Sequence, residues 1–344
     1  MKSPSFALLA LLLCLLSVPF FLSKQSFLRA EGSTRKHPEL STRPVIGILT
    51  QPDPNGIEYI AASYVKYAEA AGAQVIPIRY WWDEKQLKQT FEGVNGILFP
   101  GGGADIDPKT SQLFKSSAIL FELAEKSNRQ GQRFPIWGTC LGWELLAVLA
   151  TKSYAVLNES GKFLDEGSNS ITVRQRDSNI FKALAKSGLL REIENSEKIF
   201  YFSHMMGVTP EIFENTFDTS CWIITAEGKD RFNKRFVAVA ENKCRPYYGV
   251  QFHPEKPLYE WFTGADIPHS FLANEVSRFF INFLSQELHW SRKGNFKDSE
   301  VFKRSIHNYP IKTLGNQYFF QVYLFGNSSF DKDFSETTEA SKLF

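Results

Sequence analysis

Between residues 44 and 150 the chain alternates short apolar runs with stretches of helical periodicity, and few folds accept that rhythm. Strands are predicted at 44–50, 74–80, 96–99 and 134–137, and helices at 59–71, 83–91, 113–129 and 141–150. Gly72 supplies a stop for the first helix. Strands separated by helices of this length make parallel β-α-β units with right-handed crossovers. After Thr151 the rhythm changes, and strands at 171–173, 222–226, 236–240 and 248–252 succeed one another through turns before a helix at 267–288. The expected fold is α/β: one mostly parallel central sheet flanked by helices, with additional antiparallel strands.

Composition removes several other classes. The 344 residues carry 39 Lys+Arg against 37 Asp+Glu, too even for a dedicated nucleic-acid binder or a basic membrane-surface protein. Four Cys are too few for a disulfide scaffold, and 31 Phe provide for a large core without such staples.

The N-terminus reads as a targeting segment. Lys2 precedes an apolar run at 6–22 broken only by Ser17 and Pro19, the pattern of a secretory signal peptide. A signal anchor is the alternative, but Pro19 and the polar 23–26 stretch favour processing, with Ser23 and Ala30 as candidate cleavage points. The expected organisation is a signal peptide at 1–23, a polar linker at 24–42, the α/β domain at 43–290 and an extension at 291–344 packing on that domain. Loss of Lys2 leaves a net charge of +1, and loss of Lys2, Lys24 and Arg29 leaves −1, so the mature chain is near neutral. Asn158-Glu159-Ser160 and Asn327-Ser328-Ser329 are glycosylation triplets that a secreted chain could use. Removing the signal also removes Cys14. Cys221 and Cys244 could then pair, or stay apart, and Cys140 is left over either way. An odd thiol in a secreted protein is a candidate for chemistry.

Cys140 sits in Gly138-Thr139-Cys140-Leu141-Gly142, between an apolar strand and a helix. This is a thiol version of the nucleophile elbow, whose sharp turn needs glycine where side chains would clash. Such a turn presents its side chain at the carboxyl edge of the sheet, where open α/β folds bind ligands. A buried inert Cys is the alternative, but the flanking glycines and the strand-to-helix context argue for a nucleophile. A thiol nucleophile needs a base and a group to orient that base. Phe252-His253-Pro254-Glu255 offers both, because residues two apart in an extended segment point the same way. The Gly101-Gly102-Gly103 run fails a dinucleotide fingerprint, with Ile106 where the third glycine should stand. It reads instead as a donor loop, in which Gly102 or Gly103 joins the Leu141 N–H in holding an oxyanion. Asp105 and Asp107 are read as turn residues. His204 stands among aromatics, where a lone histidine is more often a satisfied core residue; His37, His269, His289 and His307 are given no role, and no spacing suggests a metal site.

Together these motifs resemble the γ-glutamyl hydrolases, cysteine peptidases of the class I glutamine amidotransferase-like (flavodoxin-like) superfamily. The resemblance runs from about Pro44 to Phe325, through Tyr59-Ile60-Ala61-Ala62-Ser63-Tyr64, Phe99-Pro100-Gly101-Gly102, the Cys140 elbow, Gly249-Val250-Gln251-Phe252-His253-Pro254-Glu255-Lys256 and Tyr318-Phe319-Phe320-Gln321-Val322-Tyr323-Leu324-Phe325. It implies Cys140 as nucleophile, His253 as base and later acid, Glu255 as third member and His204 as a further active-site histidine. It also implies γ-linked polyglutamates of folates or antifolates as small-molecule substrates. No cofactor, nucleic acid or stable membrane insertion is expected; a homodimer and a lysosomal, vacuolar or extracellular location are. True amidotransferases resemble a Cys-x-Gly-x-Gln form, whereas Glu144 stands at that position here and becomes a candidate substrate contact. A tail bearing many carboxylates needs cations in the cleft, and Arg79, at a strand end, is the candidate. An acidic compartment would protonate a free thiol of pKa ~8.5. An ion pair with His253 at the helix N-terminus is therefore expected to depress Cys140, so that it is alkylated below about pH 6. The rival readings are a glutaminase or amidotransferase domain and an inactive binding relative. The first conflicts with secretion and the second with the intact Cys140, His253 and Glu255.

Overall fold

The apolar runs form strands that are covered on both faces, which is why they read as continuous rather than alternating. In the computed structural model, which describes residues 40–291, 293–314 and 319–326, Ile46 and Ile48 join Leu98 and Trp137 in the core on one side of the sheet. Val45 and Leu49 join Ile97, Phe99 and Ile136 on the other. The period of two along each strand thus feeds two cores.

Among the described residues the main sheet has eight strands. Their order is Gln74–Ile78, Val45–Leu49, Gly96–Phe99, Ile136–Thr139, Tyr247–Val250, Arg235–Asn242, Trp222–Lys229 and Thr172–Val173. The first five are parallel neighbours and the last three join antiparallel, in line with the expected class. Helices cover it with start signals in place: Asp83 and Gln86 form a capping box before Glu84–Gly93, and Ser111 caps Gln112–Arg129. The helix Leu141–Thr151 differs, being buried almost throughout, and its N-cap is Cys140 itself.

Three local expectations are corrected. Glu58–Ala61 is a strand and the helix is Ala62–Ala70, because Gln321–Phe325 from the far end of the chain pairs antiparallel with it. The late helix is Phe271–Trp290 rather than starting at 267, since Pro268 disfavours helix before it and Ser270 accepts from Ala273 N–H as the cap. Phe200–His204, given no element from the sequence, is a strand paired with Asp165–Asn169.

Cys221 and Cys244 are bonded, with Cα atoms 5.2 Å apart, at the base of the Trp222–Lys229/Arg235–Asn242 hairpin. Closing a loop of this size is worth about 3 kcal/mol. Replacing both cysteines by serine is therefore expected to lower unfolding free energy by about that amount in denaturant titration, and a loss under ~0.5 kcal/mol would contradict it. Among the described residues no helix is long and apolar enough to cross a membrane. The signal segment and Asn327 lie outside the described residues, whereas Asn158 is exposed at the end of the short helix Ala155–Asn158.

Candidate active site

Three adjacent parallel strands end at one place. Gly96–Phe99 runs out into Gly101, Ile136–Thr139 into Cys140, and Tyr247–Val250 into His253. Cys140 adopts φ 51° and ψ −113°, a strained conformation for a non-glycine residue. The turn is held by Cys140 N–H donating to Val250 O at 2.8 Å. It also requires glycine on both sides: a methyl group on Gly138 would stand 2.5 Å from Gly142 O, and one on Gly142 would collide with Phe99 O. The elbow read from the sequence is thus present, with its side chain only 4% exposed.

His253 lies against the same spot. A methyl on Gly101 would stand 2.7 Å from His253 Cε1 and 3.1 Å from Cys140 Cβ, so this glycine separates the two side chains. His253 Nδ1 lies 2.7 Å from Glu255 Oε1, a buried carboxylate. With Nδ1–H donated to it, Nε2 keeps its lone pair and can act as a base. Tyr64, assigned no role from its local pattern, joins the parts: its hydroxyl accepts Gly101 N–H at 2.8 Å and lies 3.3 Å from His253 Nδ1. Gly101 N–H is therefore occupied. Gly103 is exposed, with open space where a side chain would be, while Gly102 faces the Gln51 side chain. The Leu141 N–H already reaches the sulfur.

A second polar group lies beneath the sulfur. Glu144, in the first turn of the Cys140 helix and 2% exposed, accepts from Gln251 Nε2 at 2.9 Å. Burial pushes its carboxyl above the usual range, against the opposing pull of His204 and Gln251. His204 pairs across strands with Asp165, its Nδ1 bonded to Met206 O at 2.6 Å and its Nε2 3.6 Å from Asp165 Oδ2. The preceding Ser203 O accepts from Cys140 Sγ at 3.6 Å. Gln251 and Asp165 were missed in the sequence, because an amide and a carboxylate in polar or mixed surroundings carry no pattern.

Two expectations fail on this geometry. Arg79 is 4% exposed and engaged by Glu58, with its NH2 2.6 Å from Glu58 Oε2 and 3.0 Å from Gly326 O. It stacks between Trp81 and Phe325 and anchors the last described strand, so its fork is not available to a substrate carboxylate. The ion-pair expectation for Cys140 also reverses. Burial and the nearby Glu144 carboxylate push the thiol well above its ordinary value, outweighing the Leu141 N–H and Lys256, which pull it down. Burial lowers His253, with Glu255 opposing. Both shifts favour the uncharged forms, thiol and imidazole, over an ion pair.

A measurable consequence follows from these signs. Alkylation of Cys140 by iodoacetamide should be slow in acid and neutral solution and should rise only above about pH 8.5, the ordinary thiol value. Glu144→Gln removes the repelling charge, so its alkylation profile should move to lower pH. Fast labelling of the unaltered protein below about pH 6 would contradict the neutral pair.

The arrangement of a strained thiol, an oriented imidazole and backbone donors is equipped for acyl transfer. The family model for Glutamine amidotransferase class-I matches residues 57–261, which include all of these groups. The chain is 34% identical over 310 residues to "Gamma-glutamyl hydrolase B" of Dictyostelium discoideum, covering 84% of this chain and 85% of that one. It is 34% identical to "Gamma-glutamyl hydrolase 1" of Arabidopsis thaliana, with 84% of each chain covered. It is 33% identical to "Gamma-glutamyl hydrolase" of Homo sapiens, covering 85% of this chain and 92% of that one.

Proposed function

Because this chain belongs to the γ-glutamyl hydrolase family and cleaves γ-glutamyl bonds, we propose that the bonds are those of folate poly-γ-glutamates and that Cys140 carries the acyl group as a thioester. The observation that carries this reading is the convergence of Cys140, His253 and Glu255 around Gly101. In the first step His253 Nε2 takes the thiol proton as Sγ bonds to the γ-carbonyl carbon, and the carbonyl electron pair moves to oxygen. Leu141 N–H, with Gly102 or Gly103 N–H, is the donor set this reading assigns to that oxyanion. On collapse the C–N bond breaks, His253 returns its proton to the leaving amine, and a thioester remains. Water, deprotonated by the same imidazole, then adds to the thioester and releases the γ-carboxylic acid and the thiol. A concerted start from the uncharged pair fits the lowering of His253 by burial, which extends its basic form to lower pH than in a free histidine.

His204 and Glu144 are assigned to the wall beneath the sulfur, where a substrate's scissile residue would rest. A secretory route, ending in the lysosome, the vacuole or outside the cell, is supported by the Cys221–Cys244 bond, uncommon in reducing compartments, and by the exposure of Asn158 in its glycosylation triplet. The substrate reading is tested by chromatography of products from pteroyl-γ-triglutamate and from its α-linked isomer. Only the γ-linked compound should be cut; equal cleavage of both would remove the γ-glutamyl preference.

A further inference from the structure

The strand that carries His204 continues into an exposed margin built from three separate pieces of chain. Met205 follows His204 directly, and its carbonyl accepts Phe163 N–H at 3.0 Å. The Phe163 ring lies 5.7 Å from the His204 ring, and Lys234 Nζ sits 3.9 Å above the same Phe163. Lys234 Nζ also donates to Lys162 O at 2.9 Å, and Arg231 Nε to Leu164 O at 3.0 Å. Asp230 uses its carboxylate to accept backbone N–H groups of Phe232, Lys234 and Leu164, so it fixes the turn rather than offering charge outward. The tip of the Trp222–Lys229/Arg235–Asn242 hairpin is thereby clamped onto residues 160–164, and Phe163 of that segment bonds Met205, two residues beyond the Ser203 whose carbonyl touches Cys140 Sγ.

The outward face of this margin combines cations with apolar side chains. Lys162, Lys229 and Arg231 are exposed, and among the described residues no carboxylate pairs with them. Between them stand exposed apolar groups: Leu164 at 46%, Met205 at 69% and Phe232 at 69%. Glu166, exposed beyond Asp165, bounds the rim on its acidic side. By contrast Arg235, at the foot of the hairpin, is tied to Glu227 and Glu211. Unpaired cations held by a rigid turn, spaced by apolar side chains, match one repeating polymer well. A γ-linked glutamate chain leaves every α-carboxylate free and separates successive carboxylates by methylenes and an amide.

We propose that this rim, with Lys162, Lys229 and Arg231 as its charges, docks the γ-glutamyl tail of the substrate beside Cys140. The inference rests on the γ-glutamyl reading above and adds to it where the tail lies. Exposed ion contacts are individually small but act together on a polyanion, and salt weakens them.

The test uses Lys162→Glu/Lys229→Glu in the full chain, since among the described residues neither ammonium makes a hydrogen bond, with Arg231→Gln as a second variant. KM for pteroyl-γ-pentaglutamate should rise about tenfold at low salt, against about twofold for the diglutamate, and the gap should close as salt is raised. Equal shifts for the two lengths, or no shift, would overturn the rim. Calorimetric binding of free penta-γ-glutamate to Cys140→Ala protein, with and without the charge reversals, reads the rim independently of turnover. If the unaltered enzyme cleaves neither folate, the substrate reading fails by itself. The rim then stands or falls on whether charge reversal weakens penta-γ-glutamate binding about tenfold.

Discussion

Replacing Cys140 with Ala is expected to lower kcat/KM on a γ-glutamyl peptide by at least ~10⁴-fold while leaving the protein folded. The size follows from what the residue does: without a nucleophile the oriented imidazole and the oxyanion donors can only position water, and removal of one member of such a unit costs nearly the whole of its effect. The fold should tolerate the change because the elbow is held by backbone bonds and by Gly138 and Gly142, not by the sulfur. Alanine must still adopt φ 51°, so Cys140→Gly is the companion that removes side-chain strain as an explanation. Steady-state rates on both variants, with circular dichroism for folding, decide the matter. Residual activity above about one hundredth of the parent would place the nucleophile elsewhere.

Glu255→Gln should cost about 10²–10⁴-fold in kcat, with little change in KM. The carboxylate, 2.7 Å from His253 Nδ1, fixes the tautomer that leaves Nε2 free and stabilises the imidazolium formed on attack. An amide in its place can donate to Nδ1 and so favour the wrong tautomer. The sign of the pH effect separates this role from mere packing. Glu255 raises His253 against the lowering by burial, so removing its charge should lower His253 further and carry the acid limb of the kcat profile to lower pH. Glu255→Asp should restore part of the rate. An unmoved acid limb with a large loss of rate would reduce Glu255 to a structural prop.

The parts legible in the sequence are those that hydropathy or a rigid turn dictates. Val45–Leu49 and Gly96–Phe99 read as strands because both faces are buried, and the Cys140 elbow reads because its glycines have no substitute. His253 and Glu255 are two residues apart and needed only an extended backbone. What failed depended on distant partners. Tyr59, Ile60 and Ala61 looked helical in isolation and became part of a strand through pairing with Gln321–Phe325. Phe200–His204 found its partner in Asp-Glu-Gly-Ser-Asn, a segment no strand pattern would nominate. Arg79 looked free at a strand end until Glu58 came beside it from another strand.

The electrostatics were the least legible of all. A helix N-terminus and a histidine argue for a depressed thiol. The opposite sign arises because Cys140 is buried and because Glu144, one turn along its own helix, faces it. Tyr64 shows the same limit: nothing local reveals that its hydroxyl bridges Gly101 and His253, brought together from distant parts of the chain.

The central claim is a γ-glutamyl thioester on Cys140 derived from a folate polyglutamate. It is tested most directly by mixing the enzyme with pteroyl-γ-triglutamate at about pH 5, quenching in acid within milliseconds, and weighing both protein and products. The Cys140 peptide should gain a mass equal to the acyl portion of the substrate, decaying as the shortened folate appears, and neither event should occur in Cys140→Ala. Folded enzyme that leaves the folate intact, or cleavage that persists in Cys140→Ala, would contradict it.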